Sequence, residues 1–493
     1  MPVLSLLASL ASLATVAALV ELPMRARGGR LHRDMLARAA ADDARLGILR
    51  NSTVNHFTQR TWHNGSAGTF QQRWYYDTSA WSGSAAADVF LYIGGEGPLG
   101  GTPGGMPAAL AKARGALVFA LEHRYYGDSF PAPLSDRDTL QSLTVENALA
   151  DLAAFVAATK AAWGLTGKWL AIGGSYPGGL SSWFRQKYPE VVDASWSSSG
   201  VVNAVYNFTE FDAQVLRDVD SECAAALHAV TAAFDAAWDN PATRPALMKQ
   251  FGTADYFTKA DMAWMLGDSA GMAAQYGSKA ALCAAMLPLA DPLAQFAKFT
   301  LEHYGPAFGS SCYYSTHCLS TPALSAQWIG ADYQWVYQCC RQVAYWNVAS
   351  SGSQRSAAVT LDYFNAQCQA AMGTDPFSTG ANAAFNAAFG GATPPSNSTI
   401  ALNGSDDPCV RRRARPTALS PLFSKVLPSR PSSLRSWQNA AVRKSLRPDY
   451  PEVTATCDGC GHCGDLSGPR PDEDPAITVH HDAITAYVAK WLA

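Results

Sequence analysis

From Asp88 onward the apolar residues fall in short unbroken runs, separated by longer stretches with helical spacing. "ADVFLYIGGEG" reads as an apolar strand ending in a glycine-rich loop. "ALVFALEHRYYG" is a second strand with a charged, aromatic end, and "KWLAIGGSYPGG" is a third that runs into a tight turn. "DASWSSSGVV" completes the series. Between them, "MPAALAKARG", "ENALADLAAFVAATKAAWG" and "LSSWFRQKYPEVV" are read as helices, the middle one from its three- and four-residue apolar spacing. Strands that are apolar on both faces need cover on both faces. The alternation therefore predicts an α/β fold built on a parallel sheet between helical layers.

The pattern changes over residues 203–390. Alanine and aromatic residues dominate, strand-like runs are few, and "ECAAALHAVTAAFDAAWDN" and "LDYFNAQCQAAM" have helical periodicity. This stretch is read as a helical domain inserted between two parts of the α/β domain, residues 50–202 and 391–493. The second part returns to strand character at "STIALNGSDDP" and "PEVTATC" and ends in the amphipathic helix "DAITAYVAKWLA". Residues 1–20 contain an uncharged run from Val3 to Val20, read as a secretory signal peptide, with a short membrane anchor as the alternative.

Composition narrows the function. The 493 residues are 48% apolar and 16% charged with a net charge of −3, which excludes a disordered tail and disfavours a nucleic-acid binder. Five sequons, at Asn51, Asn64, Asn207, Asn397 and Asn403, are glycosylation candidates and suit a secretory route to an extracellular or lysosome- or vacuole-like compartment. The 11 cysteines suit disulfide pairing in an oxidising compartment, with connectivity left open.

The chemistry concentrates in "AIGGSYPGG". A strand, a glycine turn and a helix around Ser175 form a nucleophile elbow, with the Tyr176 N–H aimed at a developing oxyanion. A serine nucleophile needs a base and an orienting carboxylate, in the chain order Ser, acid, His. Three histidines follow the insertion. His480 and His481, at the start of the last helix, are expected on the surface. His462, in the loop "CDGCGHCGDL", is the candidate base. Asp407 and its neighbour Asp406 both qualify as the acid. A zinc site at Cys457, Cys460, His462 and Cys463 is the metal alternative and is not expected, because it would consume the catalytic histidine. No cofactor is expected.

At these residues the chain resembles the family of prolylcarboxypeptidase, dipeptidyl peptidase II and thymus-specific serine protease. The resemblance is carried by "TFQQRWYYD", "LYIGGEG", "LEHRYYGDS", "LTVENALADLAAF", "GGSYPGGLSSWFRQKYP", "NGSDDP" and "CGHCGDL", and it is most similar to the thymus-specific protease and its plant-like relatives. It implies an α/β-hydrolase fold with a helical cap, Ser175 as nucleophile, Asp407 rather than Asp406 as the acid, and His462 as base. It also implies Gly95 as a second oxyanion donor, and Glu96, Glu122 and Arg124 as structural or substrate-binding residues near the mouth. The implied activity is exopeptidase cleavage after proline or a small residue, by C-terminal trimming or N-terminal dipeptide release. The partner is then a peptide substrate, with no nucleic acid and no stable membrane association after signal cleavage; a homodimer is left open. An esterase or lipase, and a catalytically impaired binding glycoprotein, are the competing readings.

Two departures stand out. Gln342 occupies a position where relatives commonly carry Glu. After Asp407-Pro408, where the family continues directly into Trp, residues 409–436 intervene before Trp437, with seven Lys or Arg and no acid. They read as a retained intron; a basic surface loop is the alternative. Excision would restore "NGSDDPWQNA", leave ten cysteines and, by removing seven basic residues, move the net charge from −3 to −10.

Overall fold

The computed structural model describes residues 52–63, 68–132, 137–321, 332–409, 440–442 and 444–493. The expectations for residues 1–20, Asn51, Asn64 and 410–436 lie outside them.

Eight strands form one sheet: β1 (Asn55–Arg60), β2 (Thr69–Asp77), β3 (Val89–Ile93), β4 (Leu117–Leu121), β5 (Trp169–Gly174), β6 (Ala194–Ser198), β7 (Thr399–Gly404) and β8 (Glu452–Ala455). Their order is β1-β2-β4-β3-β5-β6-β7-β8. From β4 to β8 every pairing is parallel, whereas β1 with β2 and β2 with β4 are antiparallel. The strands from Asp88 onward thus pair in parallel as expected, and the earlier β1 and β2 add an antiparallel edge that makes the whole sheet mixed. The edge pair escapes the hydrophobic pattern because glutamines occupy part of its buried side. Gln59 donates to Gln72 at 3.0 Å and to the Asp151 carbonyl at 3.1 Å, and Gln72 donates to the Glu122 carbonyl at 2.7 Å.

The central strands divide their side chains by alternate positions. Leu91, Phe119 and Ala171 share one core with Leu149, Leu152 and Phe155 of α2 (Val145–Trp163) and with Leu180, Trp183 and Phe184 of α3 (Tyr176–Lys187). Phe90, Tyr92, Val118 and Ile172 point to the other face. There they meet Met106 and Leu110 of α1 (Gly105–Arg114) and Ile484 and Val488 of the C-terminal helix. All five residues in each of β3 and β4 are buried, as two-sided cover requires.

Between β6 and β7 the chain builds the helices α4 (Glu210–Asp218), α5 (Ser221–Asp239), α6 (Arg244–Phe251), α7 (Lys259–Gln275), α8 (Lys279–Met286), α9 (Pro292–Tyr304), α10 (Thr316–Ser320), α11 (Asp332–Gln338), α12 (Leu361–Met372) and α13 (Ala381–Phe389). Helix α7 is buried continuously from Asp261 to Ala274 and forms the insertion's spine. A capping box fixes its start, with Thr258 accepting from the Asp261 N–H and Asp261 accepting from the Thr258 N–H. Disulfides Cys223–Cys283, Cys312–Cys318 and Cys340–Cys368 staple the insertion, and Cys457–Cys460 closes a short loop after β8. Among the described residues Cys339, Cys409 and Cys463 are unbridged, and no helix is long and apolar enough to cross a membrane.

The last helix, α14 (Pro475–Trp491), starts earlier than its apolar spacing suggests, capped by Asp474 with proline at its first position. His480 and His481 therefore lie within it and are buried at 1% and 5% exposure, which corrects the surface placement expected for them. His480 bonds through Nε2 to the Val453 carbonyl at 3.0 Å, tying the helix to β8.

Candidate active site

The turn after β5 holds Ser175 at φ 64°, ψ −127°, a conformation costly for a residue with a Cβ. The elbow closes because its neighbours lack side chains. A Cβ on Gly173 would lie 2.0 Å from the Pro177 carbonyl oxygen, and one on Gly178 would lie 2.6 Å from that of Ser198. The glycine expected two residues after the serine is displaced to Gly178, and Pro177 fits the first turn of α3, where its missing N–H has no intrahelical partner.

Tyr176, fully buried, is the first residue of α3, so its N–H belongs to the positive N-terminal end of that helix. A polar network fixes its ring. His123 Nδ1 donates to the Arg124 carbonyl at 2.7 Å, which leaves Nε2 to accept from the Tyr176 hydroxyl at 3.1 Å. That hydroxyl in turn accepts from Gln338 Nε2 at 2.8 Å. Burial lowers the pKa of His123 to about 4, consistent with a neutral ring. Gly95 is buried in the loop after β3, beside Glu96.

The loops after β7 and β8 bring Asp407 and His462 together. His462 Nδ1 lies 2.6 Å from Asp407 Oδ2, with the side chains 1% and 0% exposed. Burial favours the neutral imidazole. The Asp407 charge and hydrogen bond, together with Cys463, outweigh it and hold the His462 pKa well above its ordinary value. His462 Nε2 is buried and makes no hydrogen bond. Asp406 turns the other way, accepting from Lys279 at 2.7 Å and from the Gly459 N–H at 2.7 Å. The two loops touch backbone to backbone. A Cβ on Gly404 would sit 2.2 Å from the Gly461 oxygen. The His462 N–H donates to the Gln275 carbonyl at 2.7 Å, so the C-terminal end of α7 anchors the histidine loop. Asp465, absent from the sequence reading, anchors that loop from below by accepting from Trp196 Nε1 at 2.7 Å and Ser198 Oγ at 2.5 Å.

Beside Ser175 opens a cavity of about 120 Å³, lined also by Glu96, Tyr176 and Cys409 and, from the insertion, by Phe208, Phe211, Asp268, Met272, Gln275, Tyr276, Tyr313, Trp335, Tyr345 and Asn347. Sequence reasoning named Ser175, Tyr176 and Glu96 but none of the insertion's residues, because nothing local marks an aromatic side chain as wall rather than core.

Glu122 and Arg124 do not line this cavity, and substrate binding by them is withdrawn. Glu122 accepts from Arg73, from the Leu99 N–H at 2.9 Å and from Ser129 Oγ at 2.6 Å. Arg124, fully buried, makes a bidentate pair with Asp151 at 2.7 and 2.6 Å and donates to the carbonyls of Thr61 and Ser142. Gln342 is also structural: it accepts from the Val145 N–H at 2.9 Å and donates to Glu146 at 2.8 Å, capping α2. Of the glycosylation candidates, Asn207 and Asn397 are exposed. Asn403 is fully buried in β7 and donates to the Val442 carbonyl at 2.9 Å, so it is corrected to a structural residue.

The Cys457–Cys460 bridge removes two of the four ligands of the zinc alternative. Among the described residues one group could hold a metal, formed by Asp407, Cys409 and His462, whose ligand atoms lie within 4.8 Å of one another. It overlaps the Asp407–His462 pair.

The family described as serine carboxypeptidase S28 matches residues 54–411. The chain is 28% identical over 414 residues to the probable serine protease EDA2 of Arabidopsis thaliana, covering 81% of this chain and 77% of that protein. It is 28% identical over 465 residues to the thymus-specific serine protease of Mus musculus, covering 86% and 84%. Over 181 residues it is 31% identical to a probable extracellular serine carboxypeptidase of Arthroderma benhamiae, covering 34% of this chain and 25% of that protein.

Proposed function

The chain belongs to the serine carboxypeptidase S28 family and is a serine peptidase with an α/β-hydrolase fold; from that premise we propose that it is an exopeptidase cleaving after proline or a small residue, with Ser175, His462 and Asp407 as its catalytic triad. The observation that carries the triad is the buried His462–Asp407 pair at 2.6 Å, whose second ring nitrogen is unoccupied.

In this reading Ser175 Oγ attacks the peptide carbonyl while His462 Nε2 takes its proton. The tetrahedral oxyanion is held by the Tyr176 N–H, with Gly95 as second donor. His462 then gives the proton to the leaving amine, and Asp407 steadies the imidazolium through Nδ1. Water attacks the acyl-enzyme by the same route. Losing one oxyanion donor from such a site typically costs about 3–4 kcal/mol of transition-state stabilisation. The helices between β6 and β7 act as the cap of the α/β domain, and the walled cavity supports action on chain ends rather than on long polypeptides. Four disulfides support residence in an oxidising, secretory compartment.

A fluorophosphonate probe should label Ser175, and Ser175→Ala should abolish labelling. Folded wild-type protein that stays unlabelled and cleaves none of a panel of proline-containing peptides would overturn the reading and favour a binding glycoprotein.

A further inference from the structure

We propose that Lys279 is a positioning residue for the reaction: from the helical insertion it clamps the loop of Asp407 to the loop of His462 and so sets the contact between these two side chains. The inference rests on the Ser175–His462–Asp407 reading and adds what holds two of its members in register.

Lys279 is out of place in its own helix. It is the first residue of α8, where the helix dipole disfavours a cation, and neither an acid in that first turn nor a side-chain cap from Ser278 offsets it. Two carboxylates outside α8 account for its position. Lys279 Nζ lies 2.7 Å from Asp406 Oδ2, in the loop after β7, and 2.7 Å from Asp458 Oδ1, in the loop after β8. The side chains of Lys279 and Asp406 are 12% and 8% exposed and that of Asp458 is 86% exposed, so the bond to Asp406 is the one shielded from water. Burial lowers the Lys279 pKa, but the two carboxylates outweigh it and hold it above its ordinary value.

The two loops that it joins carry the catalytic pair. Asp406 immediately precedes Asp407, and the oxygen that meets Lys279 also accepts from the Gly459 N–H at 2.7 Å. The Asp406 N–H donates to the Cys460 carbonyl at 2.9 Å, and Ser405 Oγ donates to the Cys457 carbonyl at 3.2 Å. Asp458 and Gly459 lie within the ring closed by Cys457–Cys460, so the clamp holds the histidine loop as a stapled unit. The same turn of the insertion grips that loop by its backbone. The Gln275 carbonyl, four residues before Lys279, accepts from His462, and a Cβ on Gly461 would lie 2.5 Å from its oxygen. Asp218, the last residue of α4, supplies the opposing charge: its Oδ2 is buried without a hydrogen bond, and it repels Asp406. Without Lys279, Asp406 loses the cation paired with it while that repulsion remains. A buried charge so stripped is costly, and the loop relieves the cost by moving toward water, which draws Asp407 away from His462.

Kinetics of Lys279→Met, Lys279→Arg and the double variant Lys279→Met/Asp406→Asn test this on the best proline-containing peptide of a panel, with fluorophosphonate labelling on the same samples. Lys279→Met should lower kcat by about 10- to 100-fold and leave KM within about threefold, because it misplaces the base without touching the substrate. The rising limb of its pH–rate profile should move to lower pH, since a looser Asp407 raises the His462 pKa less. Lys279→Arg keeps the charge and should hold kcat within about fivefold of wild type. The double variant should regain about fivefold or more in kcat over Lys279→Met, because no stripped carboxylate is left. A labelled, active wild type whose Lys279→Met variant keeps both kcat and the limb overturns the clamp alone. A Lys279→Met variant that loses kcat with an unmoved limb and no recovery in the double variant overturns it too, as the pattern of a merely structural residue. Folded wild-type protein that is neither labelled nor active overturns the peptidase reading with it. Where Lys279→Met alone fails to fold, Asp406→Asn is the background. Adding Lys279→Met there should change kcat by less than about threefold, and a larger loss overturns action through Asp406.

Discussion

Replacing Ser175 by glycine and, separately, by alanine isolates the backbone strain at the elbow from the chemistry of the hydroxyl. Both substitutions remove the nucleophile, so both should abolish turnover. They differ only in the Cβ, and at φ 64°, ψ −127° that atom is the source of the strain. A sparsely populated backbone conformation of this kind costs roughly 1–3 kcal/mol. Glycine returns about 0.5–1 kcal/mol of that through the greater freedom of its unfolded chain. Glycine at 175 should therefore stabilise the fold by about 0.5–2 kcal/mol relative to alanine. In a chain of this size that is a rise in Tm of roughly 1–3 °C. Paired guanidinium melts on disulfide-intact protein, with labelling as the activity control, measure it. A glycine variant no more stable than the alanine variant would refute the claim that the elbow stores strain. It would mean instead that contacts of the Ser175 N–H with the Ser198 carbonyl, and of its own carbonyl with the Gly179 N–H, shape the turn at no cost.

Other outcomes follow from the same geometry. Because Asp407 holds the His462 pKa above its ordinary value, kcat/KM should rise with pH along a limb above 6.5. Asp407→Asn should shift that limb downward and cut kcat by roughly 10⁴-fold, the loss seen in the chymotrypsin-type triad; an unmoved limb in a pH–rate profile would contradict it. Burial, with Asp406 adding repulsion, raises Asp218 to a pKa of about 7. Its folded pKa lies above the unfolded one, so the folded state binds the extra proton between these values. Stability should fall as pH rises from about 4 to 7 and stay lowered above it. Asp218→Asn should remove this dependence, as urea midpoints at pH 5 and 8 would register; the same pH slope in the variant would exclude Asp218 as its source. Glycopeptide mapping should find glycans at Asn207 and Asn397 and none at Asn403, whose amide is buried against Val442; an occupied Asn403 in folded protein would contradict the β7 placement.

Much of this molecule is legible locally. The parallel strands could be read because they are buried on both faces, leaving no polar position to blur the run. The elbow could be read because two close backbone approaches exclude side chains at Gly173 and Gly178, and such exclusions survive in sequence as glycine. The antiparallel edge could not be read, because buried glutamines that satisfy one another look like surface residues. The buried His480 and His481 failed for a related reason, since polar residues declare their environment only through their partners.

The sequence by itself determined the strand–turn–helix at Ser175, the helical insertion, and the family motifs that put Asp407 and His462 forward. Only the tertiary structure decided that Asp407 faces His462 while Asp406 turns to Lys279, and that Glu122 and Arg124 serve internal ion pairs. It alone brought Asp268, Asn347 and the insertion's aromatic rings to the wall beside Ser175. The physical reason is one of range. Backbone conformation and burial period act over a few residues and leave a local imprint, whereas ion pairing and cavity shape depend on groups that meet in space after tens to hundreds of residues of chain.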